Sequence, residues 1–267
     1  METGLNNHLK RISSELFIKY ESVERVKIDR SIANINNRLA EYFDDQIDQS
    51  IVFGSYTRDT ILPRQFNTNS DIDILIQFNT KEYDRLKPES YRNQLKKFAE
   101  SNYAYSGIIK DHPSIVIELQ HIKFDLVPSI FDIGIIYDSI EIPDKDGGWM
   151  ETEPEQFNKD LTRANTNYNS IVKPIIRLLK YWNAAHGYPY YSYELETEIA
   201  EMDFSNDNYE SGFLYAIKKL SNSNLPIWAR NKLDVLKTNG NWVSEYLEIG
   251  KIEKAKKSMQ KILPGFG

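Results

Sequence analysis

The 267-residue chain contains no cysteine. Disulfides and thiolate metal sites are thereby excluded. Its four histidines show no zinc-ligand spacing. Long apolar runs are missing as well: no segment approaches the roughly 18 apolar residues of a membrane-spanning helix. The polar start METGLNNHLK is not followed by an apolar stretch of signal-peptide kind. A soluble, cytoplasmic protein is expected. Positive charge is in deficit, with 33 Lys and Arg against 39 Asp and Glu, a net charge of −6. That balance argues against a dedicated nucleic-acid binder, which presents a basic face. It does not exclude nucleoside triphosphates, whose charge is compensated largely by metal ions. Internal repeats and low-complexity segments are absent too.

What is present suffices for a real core: 40% apolar and 12% aromatic residues. The length allows one large domain or two compact ones. The most informative stretch is 51–78, IVFGSYTRDTILPRQFNTNSDIDILIQF. A short apolar run ends in Gly54 and Ser55, a polar loop follows, and Asp71 and Asp73 open a second apolar run. Side chains alternate between the faces of a strand. Asp71 and Asp73 therefore share one face, and Ile72, Ile74, Ile76 and Phe78 fill the other. Two carboxylates side by side repel each other and oppose burial, so a divalent cation between them makes physical sense. A third carboxylate fits the same pattern. Residues 114–119 and 122–127 read as a hairpin around Gln120 and His121, with Asp125 a lone acid in an apolar strand that stops at Pro128. If the two strands are neighbours, Asp71, Asp73 and Asp125 converge on one face. Such hard oxygen donors suit Mg²⁺ or Mn²⁺. Two such ions roughly 3.5–4 Å apart serve phosphoryl or nucleotidyl transfer.

Gly-Ser, then Asp-x-Asp, then a separate Asp on a later strand resembles the DNA polymerase β-like nucleotidyltransferase superfamily. Within it, GSYTRDT, SDIDILIQF and FDLVPSI most resemble the bacterial cyclic-oligonucleotide synthases of anti-phage signalling. These are the SMODS-type CD-NTases, relatives of cyclic GMP-AMP synthase and oligoadenylate synthetase. The resemblance implies an α/β (α+β) fold. Its parts are a mixed-sheet catalytic core, a long bracing N-terminal helix and a C-terminal helical domain. It implies nucleoside triphosphate substrates, ATP among them, two Mg²⁺ or Mn²⁺ ions, and a product that carries the signal to a downstream effector.

Taken in order, residues 5–43 read as one amphipathic helix, with Leu5, Leu9, Ile12 and Leu16 and then Ile28, Ile32, Ile35 and Leu39 at helical steps. Gly54 permits close backbone approach to a ligand, and Ser55 adds a hydroxyl and an N–H. If TRDT opens a helical turn, its N–H groups face incoming phosphates. Residues 88–101 read as a helix with Tyr91, Leu95 and Phe98 inward. Residues 138–154 read as a polar link at the domain boundary, Asp144 and Asp146 lying in a solvated turn rather than a calcium site. Domains are expected at 1–150, the catalytic core with its brace, and 151–267, the helical nucleotide-binding part. In the latter, 168–184 is a helix with Lys180 off its buried stripe, free to point into a cleft. Ser192 is an expected N-cap for a helix starting at Tyr193. By the resemblance, Lys180, Ser192 and Tyr193 match the positions that hold the triphosphate and stack on the base. Residues 209–262 add about three helices, with Lys251, Lys254, Lys256, Lys257 and Lys261 read as a solvated basic face.

The expected reaction is attack of a ribose hydroxyl on the α-phosphate of a nucleoside triphosphate, giving a cyclic di- or oligonucleotide second messenger. The nucleotide is expected in a cleft between the lobes. Two rivals are a toxin-like nucleotidyltransferase acting on tRNA ends or a protein, and a non-catalytic nucleotide-binding protein. A long nucleic-acid acceptor needs a basic groove, and only the 251–261 cluster offers one. No membrane association is expected.

Overall fold

The computed structural model describes residues 4–132 and 139–266. They form two compact units. Of the described residues, one unit comprises 19–64, 69–132 and 139–158, and the other 4–18, 65–68 and 159–266.

The first unit is built on a seven-stranded mixed sheet. β1 (Ile47–Phe53) lies antiparallel to β2 (Asp71–Phe78). β2 lies parallel to β5 (Lys123–Asp132). The order continues through β4 (Ile115–Glu118) to β3 (Gly107–Lys110), both pairings antiparallel. The parallel step requires a crossover. It contains α4 (Pro88–Asn102) and the β3–β4 hairpin. One face of β2 is uniformly apolar, as the alternation predicts. Ile72, Ile74, Ile76 and Phe78 are buried, along with Tyr91, Leu95 and Phe98 of α4 and Ile35, Leu39 and Phe43 of α2 (Val23–Phe43). Phe43 meets Phe78 edge-on at 5.5 Å, and Phe78 lies 4.4 Å from Tyr91. The other face is covered only downstream: Leu75 and Gln77 are buried, whereas Asp71 and Asp73 are not fully so.

The expected single helix over 5–43 is two: α1 (Gly4–Glu15) and α2. Ser22 has extended backbone angles, and its side chain accepts from the Arg25 N–H at 3.1 Å. It is an N-cap that restarts the helix. The continuous apolar periodicity concealed the break because Leu16 and Ile18 are buried in non-helical chain. The polar link expected at 138–154 also differs. Residue 138 lies outside the described residues. Beyond it stands an antiparallel hairpin of β6 (Ser139–Pro143) and β7 (Trp149–Thr152), with β6 paired to the end of β5. At its tip Asp144 Oδ1 accepts from the N–H groups of Asp146 and Gly148, as a solvated turn requires.

The second unit is helical. It comprises α1, most of α5 (Pro154–Asn167), α6 (Val172–Ala185), α7 (Ser192–Ala200), α8 (Tyr209–Lys219), α9 (Ile227–Glu248) and α10 (Ile252–Ile262). α6 begins at Val172, later than the apolar spacing from Tyr168 suggests. Asn169 and Ser170 take positive φ and break the chain between α5 and α6. α6 is central, packing against α1, α7 and α8. Ile175, Leu178, Leu179 and Trp182 are buried, as the helical spacing implies.

Candidate active site

β2 and β5 run side by side in parallel, with Asp73 opposite Asp125 and Asp71 opposite Lys123. Paired residues of a parallel ladder point to the same side. Asp71, Asp73 and Asp125 thus share one face at the start of β2, on the side away from Ile72 and Ile74. Apolar patterning dictated this face. Shifting either strand by one residue would bury the acids and expose the isoleucines.

Gly54 stands against this group. β1 ends at Phe53, opposite Asp73, and α3 (Gly54–Thr57) turns the chain away. Gly54 has φ +77°, and a Cβ there would sit 1.9 Å from Asp73 Oδ2. The backbone approaches the carboxylate so closely that no side chain fits. The turn is tied by Thr60 and Ile61 N–H groups donating to the Ser55 carbonyl, and by the Thr57 hydroxyl donating to the Gly54 carbonyl. Behind it, Arg25 of α2 stacks on Tyr56 at 3.9 Å, and the Tyr56 hydroxyl donates to Asp29. Burial and this hydrogen bond raise the Tyr56 pKa.

The Asp125 carboxyl is raised well above the usual carboxylate range. Burial first, and the Asp71 charge second, push its carboxyl up to about 7; the Ser114 hydrogen bond, with Ser114 Oγ donating to Oδ2 at 3.1 Å, works the other way. Among the described residues no three acid or imidazole side chains are gathered as a ready-made coordination group.

Lys180, Ser192 and Tyr193 belong to the helical unit. Ser192 is the first residue of α7, one position inside the expected cap; Tyr191 is the N-cap and makes no side-chain capping bond. Ser192 and Tyr193 are exposed, Tyr193 to 57%. Lys180 differs from expectation. It is only 6% exposed and donates to Glu196 of α7 at 2.5 Å. A buried ammonium requires such a partner. The pair ties α6 to α7, the helix whose first turn carries Ser192 and Tyr193. Sequence reasoning missed Glu196, Ser114 and the Arg25–Tyr56–Asp29 cluster. Glu196 lies on another helix from Lys180 and Tyr56 lies 27 residues from Asp29, so no local spacing marks those contacts; Arg25 and Asp29 are an i,i+4 pair, and Ser114 and Asp125 share the hairpin read from the sequence.

A model of the Second Messenger Oligonucleotide or Dinucleotide Synthetase (SMODS) domain matches residues 4–165, which hold all three aspartates and the Gly54–Ser55 turn. The chain belongs to the SMODS family. Two curated relatives are similar to this SMODS chain. The cyclic AMP-AMP-AMP synthase of Acinetobacter sp. (strain ATCC 27244 / 9458) is 26% identical over 182 residues, 64% of this chain and 50% of that protein. A probable cyclic nucleotide synthase of Bacillus cereus (strain VD146) is 32% identical over 91 residues, 33% of this chain and 27% of that protein. The matched part thus spans half or less of these relatives' own lengths. Among solved structures, E. coli MS115-1 CdnC with ATP superposes with a TM-score of 0.72 at 14% identity, over 98% of each chain. At that identity the likeness shows the SMODS chain's fold alone, a mixed sheet with a helical unit.

Proposed function

We propose that this chain is a metal-dependent nucleotidyltransferase that joins nucleoside triphosphates, ATP among them, into a cyclic di- or oligonucleotide. The observation that carries the reading is the shared face of Asp71, Asp73 and Asp125 beside the Gly54–Ser55 turn. Support comes from the SMODS family, from relatives named as cyclic nucleotide synthases, and from a fold neighbour solved with ATP. Asp71, Asp73 and Asp125 would hold a pair of Mg²⁺ or Mn²⁺ ions. The donor set fits them: all three are hard carboxylates on one face of adjacent strands. When bound, the ions would activate the attacking hydroxyl and offset charge on the leaving pyrophosphate.

The chain's own groups divide the remaining work. Ser114 occupies Asp125 Oδ2, so Asp125 Oδ1 takes the proton of the attacking ribose hydroxyl. The new bond joins the ribose oxygen to the α-phosphorus as the bond to pyrophosphate breaks. Gly54 and Ser55 offer main-chain N–H groups to phosphate oxygens. Ser192 and the N–H groups at the start of α7 would receive the triphosphate, and Tyr193 would stack on the base, worth roughly 1–3 kcal/mol. Lys180 adds its charge from the buried pair with Glu196. The product acts as a diffusible second messenger on an effector in anti-phage defence, which places the protein in the cytoplasm. Among the described residues no helix is long and apolar enough to cross a membrane.

The test is incubation with labelled nucleoside triphosphates and Mg²⁺ or Mn²⁺. Expected is a product that resists alkaline phosphatase, falls to a phosphodiesterase, and disappears in Asp73→Asn, with pyrophosphate release down at least about 1000-fold, some 4 kcal/mol. Label that is wholly phosphatase-sensitive, or that appears only on added tRNA or protein, overturns the reading.

A further inference from the structure

α9 buries one face, with Ala229, Leu233, Leu236, Gly240 and Val243 inward. A second apolar line on the same helix is not buried. Trp228, Val235 and Trp242 are 50%, 57% and 41% exposed, and Ile249, just beyond the helix, is 60% exposed. These four residues recur at every seventh position. Seven residues turn an α-helix by about 20° less than two full turns, so the four form one slowly drifting stripe, about 30 Å long at 1.5 Å per residue. Scattered exposed aliphatics need no explanation. Two of the chain's four tryptophans on one exposed line do, because tryptophan is concentrated at the centres of binding interfaces.

The stripe has a basic margin on its α10 side, while Asp234, Glu245 and Glu248 of α9 lie within three residues of its anchors. α10 packs beside α9. Its Lys261 ammonium lies 5.3 Å from the Trp242 ring centroid, and its Lys254 ammonium 5.8 Å from that of Tyr246. Residues 227–263 carry eight Lys and Arg against four Asp and Glu, in a chain whose net charge is −6.

We propose that this stripe is the docking surface for an acidic amphipathic helix of a partner protein. A seven-residue repeat keeps the anchors facing one partner helix along a left-handed seam; the positions three residues on, Asn231, Thr238 and Glu245, are polar. Flanking carboxylates on the partner would complement the lysine margin and speed encounter. A second copy of the chain fits less well, because a two-fold contact sets the same patch against itself and brings lysine margin against lysine margin. An anionic bilayer calls for a broader apolar face than one residue in seven. Single-stranded nucleic acid calls for ring platforms at nucleotide spacing. Here successive anchors are about 10 Å apart at 1.5 Å per residue, and the Trp242 ring already carries Lys261.

The probe is a labelled synthetic helix of four heptads, apolar at the seam positions and glutamate at the flanking ones, titrated into the whole protein by fluorescence anisotropy. Expected is saturable binding with a Kd in the micromolar range, near −8 kcal/mol. The same peptide with lysine flanks should bind at least about ten-fold more weakly. Trp228→Ala with Trp242→Ala should weaken binding at least about ten-fold without altering the circular dichroism. Lys254→Glu with Lys261→Glu should reverse the preference between the two peptides, an outcome that loss of folding does not mimic. Four results overturn the proposal. One is no saturable binding; another is equal affinity for both peptides. The third is a dimer in sedimentation that Trp242→Glu dissolves, which makes a second copy the occupant. The fourth is tighter capture by anionic vesicles or a single-stranded oligonucleotide, competed by the peptide.

Discussion

Gly54 and Asp125 set the chemistry of this site at the scale of single residues. A methyl group at Gly54 meets two obstacles: φ +77° and the Asp73 carboxylate 1.9 Å away. The left-handed conformation alone costs about 1–2 kcal/mol for a residue with a Cβ. Relief of the contact moves Asp73 off its position. Gly54→Ala is therefore expected to lose about 100-fold or more of pyrophosphate release while melting only a few degrees lower, a split read by pairing the activity assay with calorimetry. Asp125 yields a pH prediction. Its folded pKa is near 7, and an unfolded Asp titrates near 3.9. Between these values the folded state holds the extra proton, so stability falls as pH rises through that window and the penalty is complete above about 7. Measured in EDTA, the wild type should melt lower at pH 8 than at pH 5. Asp125→Asn should remove most of that difference and melt above wild type at pH 8. Identical melting at both pH values for wild type would contradict the raised acid.

The α6–α7 tie sets the behaviour of those elements. Lys180 and Glu196 are buried together. Removing one member of such a pair strands a buried charge, at about 3–5 kcal/mol, whereas replacing both with apolar groups of similar volume is often close to neutral. Lys180→Ala is expected to unfold several degrees below wild type. Lys180→Met combined with Glu196→Met should recover most of the loss. The recovered variant is the fair test of nucleotide binding. If Lys180 also contacts the triphosphate, that stable protein should bind a non-hydrolysable analogue about ten-fold or more weakly in titration calorimetry, from a charge-assisted hydrogen bond of about 1.5–3 kcal/mol. Undiminished affinity would confine Lys180 to holding α7.

In the whole molecule, the first residues of the chain belong with the last hundred. α1 packs on α6 and α8, and Leu5, Leu9, Ile12 and Leu16 are fully buried. Each such side chain contributes about 1.5–3 kcal/mol on burial, and a domain's net stability is about 5–15 kcal/mol. Deletion of residues 1–18 is therefore expected to unfold the helical unit. Hydrogen exchange should show α6 and α8 amides losing protection, while β2 and β5, in the other unit, keep theirs. Retained protection in α6 would refute the dependence.

Much of this was legible in the chain itself. Asp71 and Asp73 on one face, Asp125 in the following hairpin, α4 and the three last helices all follow from period-two and period-3.6 patterns, which act over a few residues and leave a local trace. The site's second layer was not. That β5 lies parallel beside β2, with Asp73 opposite Asp125, depends on a crossover of some forty residues whose outcome no window contains. The break at 16–22 escaped because its apolar residues find burial off the helical pattern. Lys180, which helical spacing sets off the buried stripe, is buried all the same because Glu196 of another helix supplies the opposite charge. Sequence alone determined which residues alternate, turn and repel. Only the tertiary structure decided which of them became neighbours, because burial, and hence the strength of every charge interaction at the site, is a property of the packed chain.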